Sequence, residues 1–290
     1  MRYTAFDTLV APARPSSHPL RLLAGLGLMV AIFFSMAFLY VWLAVPFAGI
    51  GGTGLAPGQT PAGVLVMLFQ FALLIVALWA ALRLVHKRGL VSLLGPPARA
   101  ARHFLRCAAF LLPLYLLVFI LPMPEDYTPQ PNLDPGVWLR WLPLAVMAVM
   151  VQIAAEELTF RGYLQSQLAA RFAHPAVWIG LPSLLFGLMH YAPGMAGDNT
   201  WVIVLWAALF GTAAADLTAR AGTLGPAIAL HFLNNVFAIL ITAPTGNMDG
   251  LALYTVPLDL SAPGIVWYVL PVEAGFVLCA WLAARLALRA

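Results

Sequence analysis

Eight apolar stretches of membrane-spanning length follow one another along this chain, at residues 22–46, 62–85, 104–123, 138–158, 176–192, 199–218, 222–242 and 263–286. A helix needs about 20 apolar residues to cross a bilayer. Backbone polar groups have no water to bond in hydrocarbon, so spanning segments are helices or closed barrels. Long apolar runs without alternation select the helix. The expected fold class is therefore all-α: a polytopic membrane helix bundle of about eight transmembrane helices. Composition agrees, since 62% of the 290 residues are hydrophobic and only 9% are charged, against about 25% charged in a soluble domain.

The first stretch also follows a basic start, as a signal peptide would, with Arg2, Arg14 and Arg21 ahead of it. A signal peptide's apolar core is only about 7–15 residues long, so a retained helix is the better reading. Cys107 and Cys279 both fall in apolar runs. They fit no metal-binding spacing and are read as small apolar residues. The net charge of +4 is dispersed over loops, which gives nucleic-acid binding no support.

Loop charge sets an orientation. Six basic residues and no acid lie between Arg83 and Arg106, whereas the following loop carries Glu125, Asp126 and Asp134 and no base. Basic and non-basic loops alternate along the whole chain, as the positive-inside rule requires. The expectation is an integral membrane protein with both termini cytoplasmic, in a bacterial inner membrane. Glu273, inside the last apolar stretch, is a charge this scheme does not explain.

Three stretches carry polar groups that a lipid-facing surface would not tolerate. The fourth runs out into AAEELTFR, with Glu156, Glu157 and, just past its end, Arg161; the fifth contains FGLMH, with Phe186 and His190; the seventh contains HFLNN, with His231, Asn234 and Asn235. Ionisable groups in membrane helices generally face the bundle interior and mark function. Residues four apart are neighbours on a helix, so Glu157 can neutralise itself against Arg161, and His231 shares a face with Asn235. Glu156 then points about 100° away with no partner on its own helix. A carboxylate without a partner in an apolar setting holds its proton more tightly than in water, which suits a general base or acid.

Each group also has a structural reading. The Glu157–Arg161 pair alone would be glue, a lone membrane histidine a helix–helix hydrogen bond, and Asn234 a bridge between helices. Phe186 reads as packing and Asp216 with Arg220 as a surface pair. His18, His86, His103 and His174 fall in loops or interfaces and read as non-catalytic. Glu, His and His-x-x-x-Asn on three helices of one bundle carry more weight together than singly.

Together these motifs resemble the CPBP intramembrane proteases (CAAX protease and bacteriocin-processing, or Abi, family). EELTFR fits the family's E-E-x-x-x-R pattern, FGLMH its F-x-x-x-H and HFLNN its H-x-x-x-N, in the family's order. On this reading residues 1–134 supply three N-terminal helices and residues 135–242 a core resembling the family's catalytic core. Residues 243–290 add a loop and the last helix, all within one membrane domain. The resemblance implies an endopeptidase similar to the type II CAAX prenyl proteases. It implies that Glu156 activates water, His190 helps to hold it, and His231 with Asn235 stabilises the oxyanion, while Glu157 and Arg161 support the site. The substrate it implies is a peptide or protein, membrane-bound or lipid-modified, met among membrane lipids.

Cofactor use is open at this point. Glu156, His190 and His231 are a plausible zinc set with water as the fourth ligand, but asparagine is a better oxyanion donor than zinc ligand and no H-E-x-x-H signature is present. The metal-free reading is favoured. Two other functions compete: a non-catalytic scaffold or bacteriocin-immunity protein of the same fold, and a proton-coupled transporter using the same carboxylate and histidines as a relay. One tension concerns helix ends, because the expected boundaries put Glu156 at the cytoplasmic end of its helix and His190 at the opposite end of the next. Continuation of the fourth helix past Glu157 would resolve it.

Overall fold

The structure is a computed structural model that describes residues 3–47, 56–118, 120–121 and 127–289. Eight main helices carry the architecture: α1 (Pro19–Phe47), α2 (Pro61–His86), α3 (Pro97–Val118), α4 (Pro135–Ala169), α5 (Ala176–Leu188), α6 (Thr200–Ala221), α7 (Gly225–Ile241) and α8 (Ile265–Ala287). They answer to the eight apolar stretches in order. Six of the expected spans are long and apolar enough to cross a membrane, while α5 and α7 are shorter. All eight expected helices are present, six of them of spanning length. The two short helices carry two of the three polar motifs; α7 is largely buried, whereas α5 buries Phe186 and leaves Leu181, Leu184, Leu185 and Leu188 exposed on its outer face. The protein is an all-α integral membrane bundle. Glu125, Asp126 and most of the first loop lie outside the described residues.

Local chemistry sets the helix ends. Asp134 caps α4 by accepting from the backbone N–H groups of Gly136 and Val137, with Pro135 at the first helical position, where a missing N–H costs nothing. Gly222, at φ +63°, closes α6 in the left-handed region, where a side chain would be strained. The short link it allows brings α7 straight back against α6. Close approach matters at Gly225, where an added Cβ would fall 2.1 Å from the Ala100 carbonyl oxygen on α3. Without a side chain there, α7 seats tightly against α3.

The largest departure from expectation is α4. Its apolar run was expected to end at 158, yet the helix continues to Ala169, 35 residues in all. At about 1.5 Å per residue it is far longer than the bilayer's hydrocarbon core. The extension survives because protein encloses it. Thr159, Arg161, Gln165, Ser166 and Gln167 are all buried, and Gln165 Nε2 donates to the Ala215 carbonyl on α6 at 3.0 Å. The helix widens into π-helical turns over Leu158–Leu164, and α7 does the same over Val236–Ile241. Such turns recur at functional sites; here the first begins inside EELTFR, directly after the two glutamates, and the second directly after Asn235.

Residues 3–16 precede the first apolar stretch, and nothing in the sequence marked them as structured. They form short helical turns that fold back onto the bundle. Tyr3 OH donates to Asp216 Oδ1 at 2.7 Å, and Asp216 Oδ2 accepts from Arg220 Nε at 2.7 Å and from Trp281 Nε1 at 2.9 Å. The expected surface pair is therefore a half-enclosed junction, with side chains 11% and 18% exposed, joining the N-terminal turns and α8 to α6. At the opposite end, three short strands make a small mixed sheet in the order β1 (Gln130–Pro131), β3 (Tyr254–Val256), β2 (Thr242–Pro244). It ties the loops before α4 and after α7 together.

Candidate active site

Helices α4 and α7 meet through matching four-residue steps. On α4, Gln152 and Glu156 lie one turn apart; on α7, His231 and Asn235 do. Asn235 Nδ2 donates to Gln152 Oε1 at 2.8 Å, and His231 Nε2 lies 3.5 Å from Glu156 Oε2. Moving one turn along α4 moves one turn the other way along α7, as antiparallel neighbours do. The fold thus converts two sequence spacings into one cluster.

Glu157 anchors the cluster. Its carboxylate is fully buried, and Oε1 accepts from Arg161 Nη1 at 2.9 Å and from His231 Nδ1 at 2.8 Å. The expected Glu157–Arg161 pair is present, and it does more than neutralise itself, because the same oxygen orients the histidine ring. Arg161 is held from other sides too. Its guanidinium carbon lies 4.3 Å from the Phe186 ring centroid, and a Cβ on Gly211 of α6 would come within 3.2 Å of its Nη2. A buried charge needs such enclosure and pairing.

Glu156 is different. Its side chain is 13% exposed, against none for Glu157. The expectation that it has no partner on its own helix is wrong. Gln152, four residues earlier, donates Nε2–H to Glu156 Oε2 at 2.6 Å. Gln152 was not among the residues singled out from the sequence, because a single neutral amide in an apolar run carries no charge to draw notice. Its position one turn before Glu156, on the same face, was the available signal. Asn234 turns out to donate to Asn235 Oδ1, at 3.2 Å, rather than to bridge helices.

Phe186 is the hub of the aromatic packing. Its ring centroid lies 4.9 Å from that of His190, 5.8 Å from that of His231, 5.3 Å from that of Phe160 and 6.4 Å from that of Phe210. His190 follows the end of α5 and is half-buried. Its Nδ1 sits 2.9 Å from the Phe186 carbonyl oxygen, which can only accept, so Nδ1 carries the proton and Nε2 is left as an acceptor. Continuation of α4 past Glu157 removes the mismatch in helix ends, since Glu156 now lies well inside its helix.

Both histidines thus have Nδ1–H anchored on an oxygen, as metal-binding histidines commonly do. The positions fit a metal less well than the chemistry does. Glu156 and His231 approach each other, whereas His190 is tied to Phe186. Among the described residues no three His, Cys, Asp or Glu side chains gather closely enough to hold an ion.

The remaining histidines take non-catalytic places, though not all where expected. His18 and His174 lie at exposed helix starts, accepting from the backbone N–H of Leu20 and Ala176. His103 bonds Thr223 at 2.9 Å across α3 and the α6–α7 link. His86 was expected at an interface and is instead 4% exposed. The folded-back N-terminal turns bury it.

Fold and site together define an integral membrane helix bundle with an enclosed carboxylate–histidine–amide centre between two helices. Residues 138–237 match the family model described as "Type II CAAX prenyl endopeptidase Rce1-like", and this stretch holds all three motifs. Over that stretch the match supports a likeness to the CPBP, CAAX-protease-like family. A curated relative, "Uncharacterized protein YyaK" from Bacillus subtilis (strain 168), is 26% identical over 225 residues, covering 70% of this chain and 73% of its own. No solved structure matches.

Proposed function

We propose that the protein is an intramembrane endopeptidase that hydrolyses a peptide bond by glutamate-activated water. The observation that carries this reading is the pairing of Gln152 and Glu156 with Asn235 and His231 across α4 and α7. It puts a partly accessible carboxylate beside two side chains able to donate to an oxyanion. Glu156 takes a proton from water as the oxygen attacks the carbonyl carbon, and His190 Nε2 accepts the water's other hydrogen bond. Negative charge develops on the carbonyl oxygen, where Asn235 Nδ2–H and His231 Nε2–H receive it. The C–N bond then breaks as Glu156 returns its proton to the leaving amine.

With Nδ1 donating to Glu157, His231 can donate through Nε2 only as the imidazolium. No step is routed through a metal, because the three candidate ligands do not converge. The substrate class in this proposal is a membrane-bound or lipid-modified peptide or protein, presented from the lipid. Both termini face the cytoplasm, on the side of the basic loops, with a bacterial inner membrane as the setting.

The test compares peptide termini in cells carrying the wild-type protein or Glu156→Ala at equal membrane abundance. New termini that vanish with the variant are the expected result. Identical termini in the two would overturn the assignment.

A further inference from the structure

Gln152 matches none of the three motifs, yet among the described residues it is the one bonded to both the proposed base and a proposed oxyanion donor. It is 7% exposed, and its amide is used at both ends: Nε2–H donates to Glu156 Oε2 at 2.6 Å and Oε1 accepts from Asn235 Nδ2 at 2.8 Å. Asn234 Nδ2 donates in turn to Asn235 Oδ1. Every bond in the series points the same way, from Asn234 through Asn235 and Gln152 to Glu156. An ionised carboxylate can only accept, so Glu156 fixes the direction of all three amides. Turning any one of them over would put two donors or two acceptors face to face.

We propose that Gln152 is a positioning residue that divides the labour between the two oxygens of Glu156. The inference rests on the protease reading of this site. Oε2 is held by Gln152, with His231 Nε2 on its other side at 3.5 Å. Among the described residues no hydrogen-bond donor reaches Oε1, so Oε1 is the oxygen that takes the proton from water. The same amide occupies one Nδ2 hydrogen of Asn235 and aims the other away from Gln152, as the oxyanion donor. One neutral side chain thereby locks base and donor into a single geometry. For groups that must be aligned, an error of about 1 Å can cost about 10²-fold in rate.

Gln152→Met tests this, since it keeps the volume and removes both hydrogen bonds. The probe is a fluorogenic peptide with a lipidated cysteine followed by a three-residue tail. The expected result is an about 10²-fold lower kcat with KM and the thermal midpoint within twofold and a few degrees of wild type. A second readout needs no substrate. The infrared carboxylate bands of Glu156, isolated as the difference between wild type and Glu156→Gln, should shift in Gln152→Met, because one oxygen has lost its donor. Unchanged bands, or an unchanged kcat, would overturn the proposal. Failure of wild type to cleave the probe, with the termini comparison also negative, would sink the protease reading instead; the bands then still decide whether Gln152 holds Glu156.

Discussion

Helix α4 carries two polar clusters, and they are built to opposite specifications. About two to three turns beyond Glu156, Tyr163 and Gln167 reach His86 and Ser16. His86 Nε2 lies 2.8 Å from Tyr163 OH, and His86 Nδ1 lies 3.0 Å from both Ser16 Oγ and Gln167 Nε2. All four side chains are buried, none is a carboxylate, and a Cβ on Gly25 would strike Tyr163 OH at 2.2 Å. Nothing can enter, and nothing in the cluster gains or loses charge for chemistry. The site cluster holds two carboxylates, a guanidinium and an imidazole, and it keeps one carboxylate partly open while burying the other completely. A serine beside a histidine is therefore glue in this protein, and a glutamate beside a histidine is the candidate machinery. Accessibility and the presence of ionised carboxylates separate the two clusters, not the histidine alone.

The largest effect expected from breaking this contrast is on Glu156. Glu156→Gln keeps the shape and removes the base, so cleavage of the lipidated probe should fall by about 10²–10⁴-fold with the thermal midpoint in detergent unchanged. Its neighbour should behave the other way round. Glu157→Gln leaves Arg161 buried without its counter-ion, a loss of about 3–5 kcal/mol for a buried pair, read as a lower unfolding temperature; residual turnover should exceed that of Glu156→Gln. Asn235→Ala removes one oxyanion donor and should cost about 10²–10³ in kcat with binding of the probe retained. His86→Phe, in the closed cluster, leaves Tyr163 and Gln167 short of a partner. About 1–3 kcal/mol of stability should go while turnover per folded molecule stays at the wild-type level. Last, dialysis against a chelator should leave turnover unchanged; a loss restored by zinc would mean that His190 moves to join Glu156 and His231.

These comparisons also show what was legible beforehand. The Glu157–Arg161 pair could be read from spacing alone, because both residues belong to one helix and a four-residue step has one geometric meaning. The His231–Asn235 face followed for the same reason. Gln152 was not legible, although it obeys the same spacing, because its importance comes from α7 reaching it. His86 was misplaced because nothing in residues 3–16 announces that they fold back and cover it. The end of α4 was misplaced because polar residues after Glu157 look like a boundary until other segments enclose them.

Chain chemistry by itself determined a helical membrane bundle, the order of its eight helices and the residues available for chemistry. Apolar run length and the need to satisfy backbone groups in lipid allow little else. Tertiary structure alone decided which carboxylate is sealed and which stays open, that the fourth helix runs on past the motif, and that a glutamine joins base to amide. Those outcomes depend on which helix packs against which, and contacts between residues 80 positions apart leave no mark in local sequence.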